Sequence, residues 1–179
     1  ISGQNTKEGK IKNCFNAGNI VGGYGQVAGI AGATYSVIEN CMNVGRIEIR
    51  QLATNFATQL QSAGGIAGTS SSGGKFVNCV NAGTISAQNK RAGGIVGYWC
   101  PILETTTASY YRNDMINCVN FGTVFSGDAA TNGAMAGGES QSTSQDIRGN
   151  YWDIQILDIP ADANADHEGM TGVATNFLT

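Results

Sequence analysis

Five cysteines, one histidine and thirteen carboxylates are the chemically useful groups of this chain, and few are spaced for catalysis. A zinc hydrolase centre needs several His, Glu or Asp ligands around an open coordination position. His167 is the only histidine and no His-Glu-x-x-His word occurs, so that centre is excluded. A Ser-His-Asp triad or a Cys-His pair would also have to use His167. That residue stands between Asp166 and Glu168 in the C-terminal tail and reads as solvated, so no catalytic residue is assigned. Cys100, in Tyr98-Trp99-Cys100-Pro101, reads as a loop thiol or a small buried residue.

Binding chemistry has more material. Tyr98, Trp99, Tyr110 and Tyr111 gather near Glu104, Arg112, Asn113 and Asp114. Exposed aromatics beside polar groups stack on sugars or anchor a protein partner; the competing reading packs these rings onto an outer sheet. Asp162-Ala163-Asn164-Ala165-Asp166 has the Asp-x-Asn-x-Asp spacing that opens Ca²⁺ loops. The match breaks at His167, where the turn Gly belongs, and at Val173, where a bidentate Glu belongs. Asp162, Asn164 and Asp166 leave open a Ca²⁺ site completed by Asp158, Glu168 and backbone carbonyls, against the competing reading of an ordinary acidic loop, and no other cofactor is expected. Gly23-Tyr24-Gly25-Gln26-Val27-Ala28 imitates a dinucleotide fingerprint but lacks the following helix and acidic partner.

Charge narrows the partners. The net charge is -3 and no Lys/Arg cluster appears, which argues against nucleic acid. No apolar run reaches the roughly 18 residues that span a bilayer, so membrane insertion is not expected. With 41% hydrophobic and only 13% charged residues, the chain is too apolar to stay disordered. Twenty-six Gly against two Pro suggests tight turns and closely stacked backbone.

The elements that carry these residues are repeats. Asn-Cys-apolar-Asn-x-Gly occurs at Asn13–Gly18, Asn40–Gly45, Asn78–Gly83 and Asn117–Gly122. Each copy is followed, one residue on, by Ile20, Ile47, Ile85 or Val124. A second word, small-Gly-apolar-small-Gly, occurs at Ala28–Gly32, Gly64–Gly68 and Gly93–Gly97, with a weaker copy at Gly133–Gly137. The two words alternate. The cysteines Cys14, Cys41, Cys79 and Cys118 are 27, 38 and 39 residues apart, so the shortest interval is the unit and the longer ones hold insertions. The word spacings put the insertions near 50–63 and 98–113. Leu52, Phe56 and Leu60 suggest a short amphipathic helix in the first.

A unit of 27 residues is short for a propeller blade of about 40 and suits one coil of two or three short strands. The expected fold is all-β, a right-handed parallel β-helix of about four to five coils with a C-terminal cap. Residues 1–150 form the solenoid and 151–179 the cap or tail. Stacking places Cys14, Cys41, Cys79 and Cys118 in one inward ladder of free, buried thiols, Ile30, Ile66, Ile95 and Met135 in a second stack, and the flanking Asn in amide ladders. Asn150-Tyr151 is expected in the register of Asn-Cys, with Tyr151 and Trp152 covering the open end of the core.

These words resemble the GLUG motif, named for its Gly-Leu-any-Gly core. That core appears as Gly29-Ile30-Ala31-Gly32, Gly65-Ile66-Ala67-Gly68, Gly94-Ile95-Val96-Gly97 and, less well, Ala134-Met135-Ala136-Gly137. In that family a Gly-rich word alternates with an Asn-Cys word, and Asn-Tyr-Trp-Asp often ends the array, as Asn150–Asp153 does here. Gly169-Met170-Thr171-Gly172 loosely matches the family's tail. The resemblance covers about residues 11–172; it departs in Ile or Met for Leu and in the two insertions. It implies an extracellular or cell-surface bacterial setting, as in adhesin-like proteins and non-catalytic regions of immunoglobulin A1-cleaving metallopeptidases. A repeat shared with a protease does not make this chain one.

The functional expectation is a non-catalytic structural or adhesive module, part of a larger polypeptide, acting as rigid spacer or binding surface for a host protein or glycan. The alternative is a carbohydrate-binding or polysaccharide-active β-helix, which needs charged residues at matching positions on adjacent coils. The repeat words supply Lys12, Glu39, Arg46 and Glu48 without a carboxylate pair.

Overall fold

The computed structural model describes residues 2–50, 61–71, 73–88, 90–100, 113–127, 131–138, 146–157, 159 and 169–174. Short strands follow one another in a fixed cycle of five. The first coil runs β1 (Ser2–Asn5), β2 (Lys10–Lys12), β3 (Phe15–Asn16), β4 (Ile20–Gly22) and β5 (Gln26–Ala28). The second runs β6 (Ala31–Thr34), β7 (Val37–Glu39), β8 (Met42–Asn43), β9 (Ile47–Ile49) and β10 (Ser62–Gly64). The third runs β11 (Ala67–Ser71), β12 (Lys75–Val77), β13 (Val80–Asn81), β14 (Ile85–Ser86) and β15 (Arg91–Gly93). The fourth runs β16 (Val96–Cys100), β17 (Asp114–Ile116), β18 (Val119–Asn120), β19 (Val124–Phe125) and β20 (Asn132–Gly133). A fifth turn adds β21 (Ile147–Arg148) and β22 (Asn150–Asp153), and β23 (Met170–Val173) lies beyond it.

Each strand pairs with its counterpart one coil away, always in parallel. Five sheets result, one per face, in the orders β1-β6-β11-β16, β2-β7-β12-β17-β21, β3-β8-β13-β18-β22-β23, β4-β9-β14-β19 and β5-β10-β15-β20. The chain is therefore a parallel β-solenoid. The coil has five short sides where the sequence suggested two or three, because a corner interrupts the chain every few residues. The corner between the second and third faces is an Asn in the left-handed region, with φ of 55°, 54°, 52° and 53° at Asn13, Asn40, Asn78 and Asn117. Asn tolerates that conformation better than other residues with a side chain. The corner after the third face is a Gly for a different reason. A Cβ on Gly45, Gly83 or Gly122 would lie 2.1, 2.1 and 2.0 Å from the carbonyl oxygen of Gly18, Gly45 and Gly83 one coil earlier.

The core fills by columns. Cys41, Cys79 and Cys118 are buried, as are Ile30, Ile66, Ile95 and Met135, so both expected stacks are present. Cys14, in the first coil, is only half buried. A third column, Ile11, Ile38, Phe76, Met115 and Ile147, lines the second face. Ile20, Ile47, Ile85 and Val124 line the fourth. The gap between β9 and β10 and the gap between β16 and β17 hold the two insertions. The proposed helix with Leu52, Phe56 and Leu60 lies outside the described residues.

The C-terminal word departs from the expected register by one residue. Tyr151 pairs with Val119 and Trp152 with Asn120, so Asn150 stands over Cys118. Gly149, at φ 65°, takes the left-handed corner that Asn117 holds one coil earlier. Asn150 then points inward: its Oδ1 accepts from the Cys118 N–H (2.9 Å) and its Nδ2 donates to the Met115 carbonyl (2.8 Å). Trp152 covers the core, while Tyr151 faces out at 38% exposure and covers none of it. β23 adds one more layer on β22, with Met170 over Asn150 and Gly172 over Trp152. β22 crosses the 150/151 boundary drawn between solenoid and cap.

Candidate functional site

Two amide ladders run along the solenoid in opposite senses. At the exposed corner each amide donates to the preceding coil: Asn40 to Asn13 (3.2 Å), Asn78 to Asn40 (3.1 Å) and Asn117 to Asn78 (3.4 Å). Inside the third face each donates to the following coil: Asn16 to Asn43 (2.7 Å), Asn43 to Asn81 (2.8 Å) and Asn81 to Asn120 (2.8 Å). Asn120 ends the row on the Ala134 carbonyl at 2.8 Å. Each inner amide also donates to the carbonyl two residues on, at Gly18, Gly45, Gly83 or Gly122. Asn43, Asn81 and Asn120 are fully buried, and buried polar groups persist only when satisfied in this way.

The thiol column runs alongside. All four thiols are free, as expected. Each donates to the carbonyl two residues back: Cys14 to Lys12, Cys41 to Glu39, Cys79 to Val77 and Cys118 to Ile116. Burial pushes the Cys41 thiol up to about 11. Burial raises Cys118 well above the usual thiol range, and the Cys118 thiol acting on Cys79 lowers the latter. A reactive cysteine needs an electropositive, accessible surrounding that favours the thiolate. Cys41 and Cys118 have the opposite. Among the described residues no group of three or more His, Cys, Asp or Glu is arranged to hold a metal.

The aromatic candidates divide. Tyr98 and Trp99 belong to β16, which is five residues long and pairs with β11 through Thr69↔Tyr98 and Ser70↔Trp99. Trp99 is 2% exposed and its ring centroid lies 6.1 Å from that of Phe76. Tyr98 is 9% exposed, with the Arg91 guanidinium 4.2 Å from its ring centroid in a cation–π contact. The role of exposed platform is therefore corrected for these two: the strand continues past the point where the repeat word ends, and carries them into the wall. Thr34, Ser70 and Trp99 form one column, with the buried Asn113 accepting from Ser70 Oγ (3.2 Å) and the Gly74 N–H (2.9 Å). Tyr110, Tyr111, Asp162, Asn164, Asp166 and His167 lie outside the described residues. So does the side chain of Cys100, whose backbone ends β16.

The charged candidates are brought into pairs. Lys12 and Glu39 are neighbours on adjacent coils and form an ion pair (2.5 Å). Glu48 is gripped by Arg50 (2.8 Å) and Arg46 (3.2 Å), and the Arg50 hydrogen bond holds its carboxyl below the usual range. The sequence names Asp114 only as a polar neighbour of the aromatics, and Asp146 was missed. They lie at successive positions of one column, where the Asp146 N–H donates to Asp114 Oδ1 (3.0 Å). Lys75 pairs with Asp114 (3.5 Å) and Arg148 with Asp146 (3.6 Å). Their position just before Met115 and Ile147 was the available signal.

The repeat word also sets an outward-facing apolar surface. The apolar residue after each Cys points outward from the third face. Phe15, Met42, Val80, Val119 and Tyr151 are successive partners, and Ala17, Val44, Ala82 and Phe121 form a parallel row two residues on. Phe15 is 60% exposed and Val44 37%. No charged side chain interrupts either row over the first four coils.

Comparison of the chain with protein-family models, with curated proteins and with solved structures finds no match.

Proposed function

We propose that this chain is a non-catalytic structural or adhesive module of a bacterial cell-surface or secreted protein, a rigid spacer that also presents a binding face. The GLUG resemblance is the basis for the bacterial surface setting. The observation that carries the mechanical part is the unbroken parallel register on all five faces across four coils, which joins each layer to the next by ladder hydrogen bonds and two amide rows. Such one-dimensional stacking produces a stiff rod whose layers contact only their neighbours.

A polysaccharide-active reading has one observation in its favour. Asp114 and Asp146 stand on adjacent coils, about 4.8 Å apart along the stack, near the carboxyl separation of retaining glycosidases. Each is already paired with a cation. The test is a panel of polysaccharides and a glycan and host-protein array, with Asp114→Asn as the control chain. The spacer reading expects no release of reducing ends from any substrate, and binding, where it occurs, that Asp114→Asn leaves intact. Turnover lost in Asp114→Asn would overturn it in favour of the polysaccharide-active reading.

A further inference from the structure

We propose that the outward apolar rows of the third face join two copies of this chain in antiparallel orientation. Solenoid exteriors are solvated, so a single outward apolar residue needs no explanation. Two uninterrupted rows repeated on successive coils are a contiguous patch, and such patches mark contact surfaces. From Phe15 to Tyr151 the patch spans four steps of the stack, about 19 Å at about 4.8 Å per step.

Charge selects the occupant and its direction. Among the described residues the first coil carries Lys7, Lys10 and Lys12 against Glu8, whereas residues 113–157 carry Asp114, Asp146 and Asp153 against Arg148. The solenoid axis is thus basic at its first coil and acidic at its last. A second copy lying parallel would set like ends together. A second copy turned end for end sets each basic coil, with Lys7, Lys10 and Lys12, beside the partner's acidic end, with Asp146. The same turn lays Phe15 against the partner's Tyr151, Met42 against Val119, and the small Val80–Ala82 centre against itself. A two-fold contact needs this self-complementarity. Two-residue strands make the face narrow, well under the roughly 800 Å² per partner of a standard interface. The association is therefore weak, as suits a module whose local concentration is high when many copies share a surface.

Sedimentation velocity on the chain, from about 10 μM to about 1 mM, the latter being the Kd that about 4 kcal/mol of association gives, reads the proposal. At low salt the weight-average sedimentation coefficient rises with concentration toward that of a dimer, and about 0.5 M NaCl moves the rise to higher concentration by screening the complementary ends. Val44→Lys, with circular dichroism and melting temperature unchanged because the side chain is exposed, abolishes the rise. Zero-length carbodiimide cross-linking of the dimer joins lysines of residues 7–12 to Asp146 of the other copy. A chain that stays monomeric at about 1 mM overturns the proposal, even if it binds another protein or a lipid vesicle. So do a dimer that tolerates Val44→Lys and cross-links that join only like ends.

Discussion

Replacing Asn81 by Ala removes the middle rung of the inner amide row. Asn81 is fully buried. It accepts from Asn43 Nδ2 (2.8 Å) and from the Gly83 N–H (3.2 Å), and donates to Asn120 Oδ1 (2.8 Å) and the Gly83 carbonyl (3.0 Å). Four bonds at about 1 kcal/mol net each give about 4 kcal/mol. Two donors, the Gly83 N–H and one Asn43 amide hydrogen, lose their acceptor in a buried site, which adds about 1 kcal/mol or more each. The expected loss is about 6 kcal/mol, a large part of the 5–15 kcal/mol that holds a typical domain folded. Asn16 makes the same kind of contacts but is only partly buried, so water replaces them and Asn16→Ala is expected to cost about 1 kcal/mol. Urea unfolding followed by circular dichroism, with midpoint and slope compared, measures both. If Asn81→Ala loses under about 1 kcal/mol, or Asn16→Ala loses as much as Asn81→Ala, the inner row does not hold the coils together.

Other consequences follow from the same columns. Gly97→Ala places a Cβ 2.6 Å from the Ala63 carbonyl oxygen and is expected to melt the solenoid or lower its melting temperature by many degrees, whereas Gly3→Ala, with nothing within 4 Å, is expected to be neutral by thermal scan. Ile66→Ala empties a fully buried site and should cost about 2–5 kcal/mol in urea unfolding. The Cys41 thiol, raised to about 11 in the folded chain, stays protonated while its unfolded counterpart ionises near 9.0, so its share of stability is complete below pH 9 and disappears between about 9 and 11. Cys41→Ala should flatten that part of the stability–pH curve, and an unchanged curve contradicts the assignment. Alkylation with peptide mapping should label Cys14 in the native chain and Cys41, Cys79 and Cys118 only after unfolding.

The repeat was legible because stacking makes equivalent residues identical in role. The Cys column, the Ile30–Met135 column and the alternation of words could be read from spacing. The Ile11–Ile147 column stood three residues before each Cys and was legible too, but varied from Ile to Phe to Met and formed no word. The two Asn of each word look alike in sequence and behave differently. Asn78 turns a corner at φ 52°, while Asn81 faces inward, and only the backbone conformation separates them. The C-terminal shift had a local cause: Gly149 replaced the corner Asn, which moved Asn150 onto the Cys column. Tyr98 and Trp99 were assigned to an insertion because the repeat word stops at Gly97, yet β16 runs on to Cys100 because β11 offers five residues to pair with. Pairing length depends on the neighbouring coil, and no single word records it.

The central claim is vertical stacking of the coils, and side-chain amide NOEs in a labelled sample test it most directly. Contacts joining Asn16 to Asn43, Asn43 to Asn81 and Asn81 to Asn120, at intervals of 27, 38 and 39 residues, are the predicted result. Close Hα–Hα contacts between sequence-adjacent strands, as antiparallel hairpins produce, would contradict it.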